Sequence, residues 1–173
     1  MNASAANPAA AGSSSLRVRR VDFGNARDRA AVLALLDGYA RDPMGGQQAL
    51  AADAQARLCD DLARWPTAVS FLAWMGDEAV GLCNCFLGYS TFQARPLLNI
   101  HDIAVTPAWR RQGVAQALLA AAQHHARQQG CCKITLEVLS NNLPAQRSYR
   151  RFGFAPYVLD PAQGQATLMQ KWL

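Results

Sequence analysis

Residues 99–115 read Asn-Ile-His-Asp-Ile-Ala-Val-Thr-Pro-Ala-Trp-Arg-Arg-Gln-Gly-Val-Ala. The apolar run predicts a central strand from Leu97 to Val105 that carries unexpected polar groups at Asn99, His101 and Asp102. Thr106-Pro107-Ala108-Trp109 then turns the chain, and Gly113 stands where a helix opens. A strand-to-helix junction of this kind makes an anion site. The first backbone N–H groups of a helix have no partner inside it and sit at the positive end of its dipole. Gly113 and Ala115 leave the approach to those groups open, and Arg110 and Arg111 add positive charge. The stretch lacks the Lys-Ser/Thr ending of a P-loop and the GxGxxG of a dinucleotide fold.

Beyond Gly113, Val114 to Gln129 continues as a helix with Val114, Leu118, Ala121 and His125 on one face and Gly130 as its cap. The neighbouring His124 and His125 are expected at the surface. Lys133 to Leu139 alternates as a strand, Pro144 to Arg151 reads as a short helix ended by Gly153, and Phe154–Leu159 with Ala166–Trp172 predict a closing hairpin. On the other side, Leu16–Asp22 alternates as a strand with one wet face. Asp28–Ala40 repeats Val32, Leu35, Leu36 and Tyr39 at helical spacing, and a second helix carries Leu50, Ala54, Leu58 and Leu62 until Pro66 stops it. Ala68–Met75 and Ala79–Leu87 predict a hairpin around Gly76-Asp77-Glu78, followed by a loop with Tyr89, Phe92 and Pro96. The predicted order is βααβββαβαββ, an α/β (α+β) chain of about seven strands and about four helices.

The chain has 173 residues, 51% of them apolar, enough for one core. The expected organisation is a disordered tail over 1–15, rich in Ala and Ser and free of charge, and a single domain over 16–173. No secretory pattern or ~18-residue apolar run is present, so a cytoplasmic protein that does not engage a membrane is expected. Charge is uneven: residues 1–100 hold nine Arg against nine acids, and residues 101–173 hold eight Arg or Lys against three. A basic second half suits a phosphate-bearing partner. Its modest excess, without interleaved aromatics, argues against nucleic acid. The five cysteines, Cys59, Cys83, Cys85, Cys131 and Cys132, lack paired CxxC spacing and are read as free thiols, with no metal site.

Two motifs now carry a resemblance. Arg110-x-x-Gly113-x-Ala115 is similar to the (Gln/Arg)-x-x-Gly-x-(Gly/Ala) motif with which GNAT acetyltransferases hold the pyrophosphate of coenzyme A. Leu136-Glu137-Val138, Asn142, Ala145, Tyr149 and Gly153-Phe154 resemble the family's LxV…N..A…Y…GF pattern at the same intervals, and the element order is also the family's. The resemblance covers roughly residues 16–173.

It implies a mixed, twisted sheet that splays open between the strand ending at Val105 and the one from Lys133. The pantetheine arm of acetyl-CoA would pair there with Ile103, Ala104 and Val105. A bulge near Ile103 to Val105 would aim an N–H at the thioester oxygen. Arg110, Arg111, Gln112, Gly113, Val114 and Ala115 would hold the pyrophosphate. Asn142 and Ala145 would contact the pantetheine, although Asn142 is equally at home as a helix cap. At the position of Tyr149 the family places the acid that protonates the departing thiolate, a task for which a phenol with a pKa of about 10 is protonated at neutral pH.

The stretch 99–105 resembles the His-Ile-Glu-Asp-Ile-Ala-Val type of glucosamine-phosphate acetyltransferases, with His101 where that type has Glu. An amine with a pKa of about 10 must lose a proton before it attacks, and His101, Asp102 or a water is the base. Family analogy places the acceptor against the loop holding Asp42 and Met44, and against Phe92. The implied reaction is transfer of acetyl from acetyl-CoA to a primary amine of a small molecule or peptide, by direct attack in a ternary complex. A homodimer is a further expectation of the resemblance. The rival from another class is a catalytically idle acetyl-CoA-binding regulatory module, which would keep Arg110–Ala115 and lose acid and base; Tyr149 and His101 argue against it.

Overall fold

The computed structural model describes residues 15–157, 162 and 168–172. They fall into two compact units, divided between Glu137 and Val138, and the tail expected over 1–15 lies, but for Ser15, outside the described residues. The first holds strands β1 (Leu16–Arg20), β2 (Ala68–Met75), β3 (Glu78–Ser90), β4 (Arg95–Val105) and β5 (Ile134–Leu136), with helices α1 (Ala26–Ala40), α2 (Ala52–Arg64) and α3 (Val114–Gln128). The strands lie in sequence order. Neighbours from β1 to β4 are antiparallel, and β5 joins β4 in parallel, the arrangement that α3 as a crossover allows. The mixed sheet and four helices agree with expectation, and the strand count among the described residues is five where about seven were expected. The predicted closing hairpin falls largely outside the described residues, and 154–157 and 168–172 carry no regular structure.

The start of α1 and the end of α2 each have a local cause. The Asn25 side chain accepts the N–H groups of Arg27 and Asp28 and caps α1. Pro66 biases Trp65 to extended backbone and so ends α2. On one face of the sheet Val32 and Leu35 of α1 and Cys59 of α2 pack with Leu72, Trp74 and Leu82. On the other, α3 lies directly on β3: a Cβ on Gly81 would stand 3.0 Å from both Leu118 and Val114, so the absence of a side chain there sets how closely the helix approaches. His125 was expected at the surface. It is instead half-buried, edge-on to Phe71 with the ring centroids 6.0 Å apart, and burial pushes its pKa down. The i, i+4, i+7 and i+11 spacing from Val114 already places it toward the sheet.

Asp28 is fully buried in the first turn of α1. Its carboxylate takes two hydrogen bonds from the Arg19 guanidinium and one from the Asp22 N–H at 2.9 Å, tying β1 to α1. The bond from Arg19 holds the Asp28 carboxyl below the usual carboxylate range. Removing one member of such a pair leaves the other uncompensated, so Asp28→Ala is expected to cost roughly 2–4 kcal/mol, less than a wholly buried pair because Arg19 is half-exposed. A carboxyl depressed by folding contributes stability above its unfolded value, near 3.8, and loses it as pH falls through the folded value. Urea unfolding from pH 7 to pH 2 should therefore show a steeper acid loss in wild type than in Asp28→Ala.

Candidate active site

The edge of β4 changes character part-way along. β5 pairs with it at Leu98, Asn99 and Ile100 only. On the other side Cys85 faces Ile100 while Asn84 faces Asp102, so His101 is the extra residue of a β-bulge. Beyond it Asp102 to Val105 stay in register with β3, and the β5-side edge leaves the ladder. The expected splay is present. The bulge is not near Ile103 to Val105, where pairing with Cys83, Leu82 and Gly81 is regular, but at His101, at the end of the parallel ladder. The same event explains why β5 has three residues and not the seven expected: its partner bends away after Ile100.

The bulge also places two candidate bases together. The His101 ring lies edge-on to Phe86 at 5.6 Å, and the Asp102 carboxylate accepts the Asn84 amide at 3.1 Å. Phe86 and Asn84 are two apart on β3 and share a face. Thus His101 and Asp102, neighbours that a regular strand would send opposite ways, both lie on the α1 side. That face also presents Tyr39, whose phenol burial pushes up, helped by the negative charges of Asp102 and Asp42. In the sequence Tyr39 is one of the apolar residues of the α1 repeat, with Val32, Leu35 and Leu36. Its polar tip at the end of α1, next to the Asp42 turn, was the available signal.

After Val105 a 3₁₀ turn, Pro107–Trp109, leads to Arg110 and the start of α3. Gly113, the N-cap, has φ +85 and open space where a Cβ would stand; Arg111 is held at φ +65. The helical ladder begins with Ala117 donating to the Gly113 carbonyl, so the N–H groups of Gly113, Val114 and Ala115 have no carbonyl behind them inside the helix. These residues fit an anionic group: backbone donors at the positive end of a helix, an unobstructed glycine, and exposed Arg111 beside them. Gln112 reaches back to the Ala108 carbonyl and braces the turn. Arg110 is otherwise engaged. It donates to the Val105 carbonyl and, at 2.7 Å, to Asp42.

That ion pair joins two residues expected in different roles. The Arg110 guanidinium holds the Asp42 carboxyl below the usual range and fastens the α1–α2 loop to the end of β4. Asp42 also accepts the N–H of Met44, which stands 36% exposed on that loop. Phe92 is elsewhere. It sits, 89% exposed, in the turn between β3 and β4, and Asp102 is seven residues from Arg95 at the start of β4, roughly 20 Å along a strand.

In the second unit, α4 (Leu143–Phe152) begins at Asn142, whose side chain accepts the N–H of Ala145 at 3.2 Å. Two motif positions thus build one cap. Gly153, at φ +109, closes the helix: its N–H bonds to Arg150 and that of Phe154 to Tyr149, the Schellman pattern that only a left-handed residue completes. The Phe154 ring then meets that of Tyr149 edge-on at 6.0 Å. The Tyr-x-x-x-Gly-Phe spacing therefore has a mechanical meaning, since glycine and Phe fix the turn and the ring of Tyr149. Among the described residues no cluster of His, Cys, Asp or Glu could hold a metal ion. All five cysteines are free.

Residues 33–154 match the model of the acetyltransferase (GNAT) family. The chain belongs to the GNAT family. It is 41% identical over 81 residues, 47% of the chain and 42% of the relative, to streptothricin acetyltransferase of Streptomyces lavendulae. It is 26% identical over 88 residues, 49% of the chain and 61% of the relative, to aminoglycoside N(6')-acetyltransferase type 1 of Salmonella typhimurium. The chain thus spans about half the length of these GNAT relatives. Among solved structures, AAC(6')-Iy in complex with a CoA bisubstrate analog superposes with a TM-score of 0.73 at 19% identity over 92% of this chain and 100% of that one. A transcriptional regulator from Bacillus halodurans does so at 0.74 and 20% identity over 91% and 100%. At such identities the likeness shows the GNAT fold. No helix among the described residues is long and apolar enough to cross a membrane.

Proposed function

We propose that this chain transfers the acetyl group of acetyl-CoA to a primary amine of a small molecule or peptide, by direct attack in a ternary complex. The observation that carries this reading is the β4 edge, which leaves the ladder at the His101 bulge and runs into the anion site at Gly113–Ala115. Acetyl-CoA, when bound, supplies an activated thioester. The chain's own groups do the rest. The N–H groups of Gly113, Val114 and Ala115, with Arg111, hold the pyrophosphate; the edge at Ile103, Ala104 and Val105 pairs with the pantetheine and gives an N–H to the oxygen on which charge develops. His101 or Asp102, on one face beside Tyr39, takes the proton from the ammonium, and Tyr149 returns one to the sulfur. Arg110 and Asp42 act together as a strut that sets the Met44 loop over that face.

The relatives named for streptothricin and aminoglycosides support an amine on a small molecule as the acceptor. Calorimetry with acetyl-CoA, coenzyme A and ATP tests the cofactor: tight binding of the first two and none of ATP is expected, and folded protein that ignores acetyl-CoA rejects the reading. Release of coenzyme A in an amine screen then separates an enzyme from an idle binding module.

A further inference from the structure

Ser70, Asn84 and Asp102 stand directly opposite one another on β2, β3 and β4. Ser70 and Asn84 are each 2% exposed, among neighbours on the same face, Leu72 and Leu82, that are wholly buried. Burying a hydroxyl and an amide is costly unless they are hydrogen-bonded, and an apolar pair at these places would avoid the cost. The bonds made run one way. The Ser70 hydroxyl donates to Asn84 Oδ1 at 2.7 Å, which turns Asn84 Nδ2 toward β4, where it donates to Asp102 Oδ2 at 3.1 Å. A carboxylate accepts and never donates, so this is the orientation of the amide that Asp102 requires. The chain of bonds ends on the half-buried carboxylate beside Tyr39, one residue past the bulge.

We propose that Asn84, fixed by Ser70, is a positioning residue that aims the Asp102 carboxylate at the acceptor amine. His101, the extra residue of the bulge, is exposed and stands against the Phe86 ring edge, whereas Asp102 is anchored to the two central strands of the sheet. This rests on the acetyltransferase reading above and assigns the base to Asp102.

The test is a double-mutant cycle read by coenzyme A release from acetyl-CoA with sisomicin, streptothricin and L-lysine as amine probes. Asn84→Leu is expected to lower kcat ~10- to 100-fold, leave acetyl-CoA affinity within about twofold and leave the protein folded. In an Asp102→Asn background, where no base remains to be aimed, Asn84→Leu should cost nothing more. Equal losses in both backgrounds would mark a merely structural residue and overturn the proposal, as would undiminished turnover in Asp102→Asn. Wild type that binds acetyl-CoA but acetylates no probe rejects the catalytic reading itself, and the proposal with it. Should Asn84→Leu fail to fold, Ser70→Ala, which frees the amide to turn, carries the same cycle with the same outcomes.

Discussion

Gly113→Asp is expected to lower acetyl-CoA affinity by ~10³-fold while the chain stays folded. Two costs are involved, and their sizes separate them. At φ +85 a side chain strains the backbone by about 1–2 kcal/mol, with no packing cost because nothing lies within 4 Å of the new Cβ. Domains of this size withstand that loss. The carboxylate, by contrast, sits where a phosphate would accept the first N–H groups of α3. Two like charges about 4 Å apart near a surface repel by about 4 kcal/mol, a factor of ~10³ in binding. Gly113→Ala isolates the first cost and should weaken binding by ~10-fold or less. Calorimetry on both variants, with thermal unfolding beside it, decides the matter; an aspartate variant that binds normally would remove the anion site from α3.

The second large effect lies in the other unit. Tyr149→Phe should cut turnover by ~10²-fold or more at unchanged acetyl-CoA affinity, because the phenol is asked to supply one proton. The ring contact with Phe154 and the backbone bond from Phe154 to Tyr149 both survive the substitution, so the helix cap should not register it. Steady-state kinetics with a saturating amine, set against calorimetry, separates the two quantities. Turnover equal to wild type would leave Tyr149 as a packing residue.

Much of the architecture was legible because it is written in local patterns. A run rich in Val, Phe, Trp and Leu before a turn located β2, period-3.6 repeats located α1 and α3 to within a few residues, Pro66 marked the end of α2, and Gly153 the end of α4. The boundaries that moved were those set by a partner strand. Half of the loop expected at Tyr89 to Pro96 is ladder, since β3 and β4 pair from Gly81 with Val105 out to Ser90 with Arg95, while β5 stops at Leu136 because its partner bends away. Register is a relation between strands, and one chain's pattern does not state it.

The candidate site divides the same way. Residue types at fixed spacing are carried by the chain alone: a glycine after two arginines at a helix start, a tyrosine four residues before Gly-Phe, and a His-Asp pair inside an apolar strand. Each follows from backbone geometry within a few residues. It is the folded arrangement that puts the bulge at His101, sets His101 and Asp102 on one face, pairs Arg110 with Asp42, and stands Ser70 and Asn84 behind Asp102. Those facts join residues 14 to 68 positions apart, and such contacts are fixed by packing strands and helices into one core, where a hydrogen-bond donor must find whichever acceptor the fold brings opposite it.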